Sequence, residues 1–413
     1  MRLLSKQTLL LLFFVLLFIS VRGLYFKESL NFSADQGLFS LKAYELFKNK
    51  EFTLIGPTTS INFEGRQIFQ GSVIYYFQIL FLLSANFDPA RASYFFMIFC
   101  SIMILPLFSG VKKLAGSRIA WMMVIVYTLF PYYIDYTRFL WNPNFQLALT
   151  PLLIFLLGYY REKRNNLLLF LVGLVTGLLL LFHYQYLIIL AGVFIYYLTQ
   201  RTGRNLLILV GGFAAGFSPL LLFEIRNNFY NLNTLYLYLI NLNNFENSSS
   251  GIGFTPHYFL SIGLFGLLVF LVVLKKYISK YIVYGAFLLF LILSIYLYGI
   301  KPESGFGMKQ GWNYELESSA FEIITAQNLE NFNITNLIYD TQASVQKYLI
   351  TAQGSNRNIK PHGSNIYLFV IAHREKVIEE DPAYEITSFK PFEIVDRWEL
   401  SDMYSLVLIK RLL

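Results

Sequence analysis

The chain reads as an α-helical polytopic membrane protein with a small α/β domain at its C-terminal end. Uncharged apolar runs of 16 to 20 residues recur before Lys301, close to the roughly 20 residues needed to cross a hydrocarbon core of about 30 Å. Hydrophobic residues make up 56% of the 413 and charged ones only 14%, too apolar a balance for a soluble domain. From Lys301 onward the character changes, with 15 acidic and 11 basic residues against 10 acidic and 22 basic before it. The positive excess is split among short loops between apolar runs, so it reads as a topology signal and not as a nucleic-acid footprint. The single Cys100 lies inside an apolar run, which excludes a disulfide framework and a cysteine-based metal site.

The runs predict about nine spanning helices, at 8–24, 92–110, 119–134, 145–160, 167–182, 184–200, 205–223, 258–274 and 281–300. Basic residues then fall in alternate loops: Arg2 and Lys6; Lys112, Lys113 and Arg118; Arg161, Lys163 and Arg164; Arg201 and Arg204; Lys275, Lys276 and Lys280. The positive-inside rule makes these loops cytoplasmic. The stretch 71–87 is also uncharged. If it crossed, eleven of those thirteen basic residues would lie outside, so it is expected to lie along the outer leaflet within one external loop, 25–91. The N-terminus is then cytoplasmic and the C-terminal domain external, in an integral multi-pass protein of the plasma membrane. The first run has the charged start of a signal peptide, but no small-x-small cleavage site follows Ser20-Val21-Arg22, so a retained anchor is expected.

The expected domains are thus 1–300, the membrane part, and 301–413, the external α/β part. In the latter, 337–339, 366–371 and 405–409 read as buried strands, and 314–329 and 342–351 as helices. Ser248-Ser249-Ser250-Gly251 reads as a flexible loop stretch, and Asn31, Asn247 and Asn333 begin N-glycosylation patterns.

The chemistry-bearing residues gather outside. Asp35 follows the first helix in a short polar stretch, Asn31-Phe-Ser-Ala-Asp-Gln-Gly37. It could cap the amphipathic stretch that follows or act as a base. Arg138 precedes Trp141-Asn142-Pro143-Asn144 in the next external loop, where its planar fork could clamp a phosphate; an aromatic-belt arginine is the plain alternative. His183-Tyr184 ends the fifth run, Glu224 and Arg226 end the seventh, and Arg91 ends the first loop. A histidine inside apolar sequence is a functional candidate by default, and a hydrogen-bonded structural histidine is its counterpart.

An acid just after the first helix, a long first external loop with a leaflet-lying helix, and Arg138-Phe-Leu-Trp-Asn-Pro-Asn144 together resemble the C-type glycosyltransferases. The nearest branch is that of protein O-mannosyltransferases and aminoarabinose transferases; His183-Tyr184 and the external C-terminal domain fit it too. The resemblance covers 8–230 by motif and the rest by architecture. It implies transfer of a hexosyl or pentosyl unit from a polyprenyl-phosphate carrier to a hydroxyl of a lipid, glycan or protein acceptor on the outer face, with Asp35 as catalytic base. Arg138, Arg91 and Arg226 are candidates for the donor phosphate. Gln36, Glu64, Gln70, Asn142, Asn144, His183 and Tyr184 complete the candidate set. Relatives often carry Asp-Glu where this chain has Asp35-Gln36, and a His-Pro-Pro-Leu-like motif where it has Gln70-Gly71-Ser72-Val73. Those departures remove a carboxylate and an imidazole that could ligate a divalent metal, so no metal ligand is assigned and no cofactor is certain, with a divalent metal left as the open alternative.

A polyprenyl phosphate leaves as a stabilised anion, so it needs positive charge and no general acid. The acceptor needs one base, which suits inversion by direct displacement; Glu64 is the one nearby acid for a double displacement. Two rivals remain. A lipid-linked glycan flippase or other transporter predicts ionisable mid-helix residues and paired repeats, which the sequence lacks. A non-catalytic scaffold with an external binding domain would leave Asp35 as a cap. The expected partners are the lipid-linked donor, the acceptor and membrane lipids, with no nucleic acid.

Overall fold

The computed structural model describes residues 5–198, 203–241, 255–354 and 359–412. The chain divides into two compact units. One, the helical unit, comprises Met1–Leu24, Phe52–Phe77 and Phe96–Gly299; the other, the sheet unit, comprises Tyr25–Glu51, Gln78–Phe95 and Ile300–Leu413. Two pieces of the chain between the first helix and residue 95 thus group with the C-terminal residues, where the sequence reading had placed a single division at 300/301. The Ser248–Gly251 stretch, the Asn247 pattern and Arg201 lie outside the described residues.

Each predicted span is mostly helical over its described residues, although 92–110, 119–134 and 205–223 each fall on two helices. Among the described residues four helical stretches are long and apolar enough to cross a membrane: Lys6–Gly23, Pro89–Ala115, Pro256–Val273 and Lys280–Tyr298. A fifth candidate, Gly203–Gly216 with Ser218–Arg226, bends by 76°, at the Ser218-Pro219 step where proline removes a ladder hydrogen bond. Asn142–Lys163 is the longest single helix at 22 residues, and Ser117–Leu129 and Asn166–Phe182 are shorter. This is a multi-pass membrane protein. The 71–87 run forms Val73–Ser84, whose 12 residues reach about 18 Å, too short to cross.

Close packing in the helical unit runs through glycines. A Cβ built on Gly173 or Gly177 would meet the Leu209 or Phe213 carbonyl at 2.2 or 2.4 Å; on Gly212 or Gly216 it would meet Phe170 or Leu174 at 2.1 or 2.0 Å. Each pair is spaced by four, so both helices present a small face and their backbones approach closely. Gly110 and Gly158 do the same for Ile104–Ala115 and Asn142–Lys163. The unit also holds a feature the sequence reading missed, an antiparallel hairpin of β1 (Ile55–Phe63) and β2 (Arg66–Gly71). Its two-residue turn puts Glu64 at φ 49° and Gly65 at φ 78°, the left-handed pair that a tight hairpin requires.

In the sheet unit, β3 (Phe332–Asn336), β4 (Tyr367–His373), β5 (Phe392–Glu399) and β6 (Tyr404–Arg411) form a sheet of order β3-β4-β6-β5. β3 and β4 are parallel and the other pairs antiparallel. Alternate residues separate two cores: Ile334, Phe369 and Leu406 pack with Trp312 and Ile324 on one face, Val370, Val407 and Ile409 with Ile386 and Phe389 on the other. The predicted helices are seen at Tyr314–Ala326 and Ser344–Gln353. The strand expected at 337–339 lies instead at Phe332–Asn336; Leu337 is in the turn beyond it, although its N–H still bonds the Ile371 carbonyl at 2.8 Å. β5 was not foreseen because its exposed, mixed residues carry no strong apolar alternation. The helix Ala34–Asn49 packs on Ser344–Gln353 at Gly37, where a Cβ would lie 2.6 Å from the Val345 nitrogen.

Candidate functional site

In the helical unit the candidate residues collect at the end opposite the basic loops, where Asn142–Lys163 begins. Asn142 Nδ2 donates to Gln70 Oε1 at 2.6 Å, tying that helix to β2. Gln146, one turn on, donates to the Leu179 and His183 carbonyls at 2.8 and 2.6 Å. The Trp141 ring lies against His257 with centroids 4.6 Å apart, and His257 lies 5.8 Å from His183. Several buried atoms here have no hydrogen-bond partner among the described residues: Asn142 Oδ1, Asn144 Oδ1, Ser72 Oγ and Trp141 Nε1. Such orphans mark where water or a ligand hydroxyl would pair. Asn144 otherwise donates to the Phe139 carbonyl at 2.9 Å, closing the turn before the helix.

Other candidates hold the backbone. Tyr184 donates its hydroxyl to the Phe69 carbonyl at 2.5 Å, and Asn231 grips the same residue by both main-chain groups, at 2.9 and 3.0 Å. Glu224 accepts from the N–H groups of Asn231 and Leu232 at 3.2 and 3.3 Å, where Tyr230–Ile240 begins. Glu64 stands exposed at the hairpin tip.

Arg138 corrects the picture of an open phosphate fork. It is 2% exposed, and its guanidinium donates to the Val21 and Leu24 carbonyls at 3.1 and 3.3 Å while lying 4.9 Å over the Tyr298 ring. The nearby Tyr298 hydroxyl bonds Asp135 at 2.8 Å. A second arginine acts alike from the first helix: Arg22 reaches Thr137 Oγ1 at 2.5 Å and the Thr128 and Tyr127 carbonyls at 2.7 and 3.1 Å. The two cross-tie the end of the first helix to the 127–138 segment. Arg226, in the last turn of its helix, is exposed and makes no ion pair among the described residues.

In the sheet unit, Asp35 is exposed at the second position of Ala34–Asn49. It is not the helix cap. Ser33 is the N-cap, and Gln36 accepts from its main-chain N–H at 3.2 Å and its hydroxyl at 2.9 Å. Gln36 is thus buried and engaged in capping, not presented to a substrate. Arg91 is exposed and paired with Asp88 at 3.2 Å. Asn333 sits in β3 with its amide donated to the Lys360 carbonyl at 2.7 Å, which closes it to glycosylation in the folded chain. Among the described residues no group of three or more His, Cys, Asp or Glu side chains could hold a metal ion.

The sequence reading missed His257, Gln146 and Asn231 as members of the polar cluster. His257 was within reach of the rule that singled out His183, since it too stands at the non-basic end of an apolar run. Asn231 carried no signal.

No family model and no curated protein matches the chain. Among solved structures it is similar to ArnT from Cupriavidus metallidurans in the apo state, with 10% identity, 99% of each chain covered and a TM-score of 0.56. It is also similar to ArnT from the same organism bound to undecaprenyl phosphate, with 11% identity, 98% of each chain covered and a TM-score of 0.60. The chain has the fold of ArnT, an aminoarabinose transferase, which is the branch its motifs resemble.

Proposed function

We propose that the protein is an integral-membrane glycosyltransferase that moves a hexosyl or pentosyl unit, with inversion, from a polyprenyl-phosphate carrier to an acceptor hydroxyl on the outer face of the membrane. The observation that carries this reading is the end-to-end fold likeness to an ArnT structure holding undecaprenyl phosphate. Asp35 is the proposed base. It is exposed at the second position of Ala34–Asn49, in the short polar stretch that follows the first helix. As base it takes the acceptor proton while the hydroxyl oxygen bonds the anomeric carbon and the phosphate departs with the bond electrons. Positive charge stabilises that leaving group; Arg226 and Arg91 keep exposed guanidinium groups for it, whereas Arg138 serves better as a brace. The orphaned amide and indole atoms beside Gln70, and the rings of Trp141 and His183, suit the hydroxyls and apolar face of a sugar.

The deciding experiment is transfer from a polyprenyl-phosphate sugar by the purified protein and by Asp35→Asn. Loss of transfer in a variant that still folds supports the reading; transfer near the wild-type rate removes Asp35 from the reaction. The orientation is tested separately by reporters. One fused after Lys113 is expected to read cytoplasmic and one at the C-terminus external; an external reading at Lys113 would mean that 71–87 crosses the membrane.

A further inference from the structure

The helical unit contains a second cavity, which begins at Ile188 and Ile262, four and five residues along from Tyr184 and His257, and reaches Arg161. Its volume is about 460 Å³, and it is lined by Leu157, Ile189, Val193, Ile262, Phe265 and Val269, with Arg161 and Leu114 at its rim. Its size falls in the range of ligand pockets, and its walls are almost wholly apolar.

Two glycines open it. Gly192 on Leu187–Leu198 and Gly266 on Pro256–Val273 line the cavity, and a Cβ built on either meets nothing within 4 Å. They contrast with Gly173 and Gly212, where the missing side chain is what lets two helices touch. Here the missing side chains leave room that no other helix fills. An apolar void of this kind facing lipid is occupied by hydrocarbon.

The rim selects which hydrocarbon. Arg161 spends one guanidinium donor on the Leu114 carbonyl at 2.7 Å and is otherwise exposed. The Lys275 ammonium comes within 3.8 Å of the space beside Gly116, two residues from Leu114. Neither forms an ion pair among the described residues, and Glu162, the one acid of this loop, is already bridged to Lys113. An exposed guanidinium at the rim of an apolar slot, with Lys275 on the neighbouring Gly116 turn, matches a phosphate head group attached to acyl chains.

We propose that this cavity is a binding site for an anionic phospholipid of the leaflet that faces the basic loops, with an acyl chain between Gly192 and Gly266 and the phosphate at Arg161. The site is separate from the one proposed for the sugar carrier and does not depend on it.

The test is thermal unfolding of the purified full-length protein in detergent, titrated with phosphatidylglycerol or phosphatidylcholine. Wild type is expected to be stabilised by both, with about tenfold preference for phosphatidylglycerol, the size of one charge-assisted hydrogen bond. Arg161→Gln should lose the preference and Arg161→Lys recover part of it. Gly266→Leu fills the cavity without meeting protein atoms at its Cβ, and should fold but no longer respond to either lipid. An undiminished response in Gly266→Leu, or equal stabilisation of wild type by the two lipids, would overturn the proposal. A parallel titration with undecaprenyl phosphate tells the two sites apart: its effect should survive Gly266→Leu, and its loss there would reassign the cavity to the carrier's tail.

Discussion

Arg138 in the helical unit and Asp35 in the sheet unit are both ionisable side chains in short polar stretches beside apolar helices, yet their surroundings differ. Arg138 is buried and donates to two main-chain carbonyls, and Arg22 and Glu224 are likewise buried against main-chain groups. Asp35 is exposed, and the groups around it that need capping are served by Ser33 and Gln36. The contrast follows from the solvent on each side. Hydrocarbon leaves a carbonyl unpaired unless the protein supplies a donor, so a charge inside the bundle is held by bracing work. At an exposed helix start water can do that work.

The largest effect expected from this contrast is on turnover. Asp35→Asn should lower sugar transfer by about 10²–10⁴-fold while shifting stability by no more than about 1 kcal/mol, the size of a first-turn charge; a transfer assay and a melting curve on one preparation read both. The brace should behave the other way round. Arg138→Met leaves the Val21 and Leu24 carbonyls without their donor, at about 1–3 kcal/mol for each buried orphan, so its melting temperature should drop well before any loss of donor affinity is seen in the folded fraction. Weakened donor binding in Arg138→Lys at unchanged stability would instead restore Arg138 to the phosphate.

Glu317 sharpens the comparison from within the sheet unit, because it is a buried acid there. Its carboxylate accepts from Trp312 Nε1 at 2.5 Å and also from Tyr339 and Gln346. Burial pushes its pKa from 4.5 up to about 8. The folded chain therefore holds a proton that the unfolded chain releases, and this unit's stability should fall as pH rises from about 4.5 to about 8 and then level off. Glu317→Gln should flatten that part of the profile, measured as melting temperature against pH; an unchanged slope would assign the pH dependence elsewhere. The smallest effect is expected at the cap itself. Ser33→Ala should cost about 1 kcal/mol with transfer retained; a loss as large as that of Asp35→Asn would mean that the helix start, and not the carboxylate, limits the reaction.

The positions of the candidate residues were legible to different degrees. The place of Asp35 after the first helix and the Trp141-Asn142 turn before another could be read directly, since both follow from where apolar runs stop. Which residue capped the helix could not be read. Ser33, Asp35 and Gln36 all satisfy cap chemistry, and one residue of difference in the helix start decides among them. The β1–β2 hairpin escaped because Glu64-Gly65 is a weaker turn signal than Asn-Gly, and with it went the setting of Gln70.

The sequence by itself determined the membrane class, which apolar runs become helices, and the sheet-forming character of the C-terminal residues. These are local properties: run length, charge alternation and side-chain period act within a few turns of chain. Only the tertiary structure decided that Arg138 is a brace, that Asn142 meets Gln70 from 72 residues away, that two pieces of the first loop fold with the C-terminal sheet, and that Gly173 closes a helix contact while Gly266 leaves one open. Each depends on which distant backbone arrives beside the residue, and a side chain's role in an apolar interior is set by the partner it finds there.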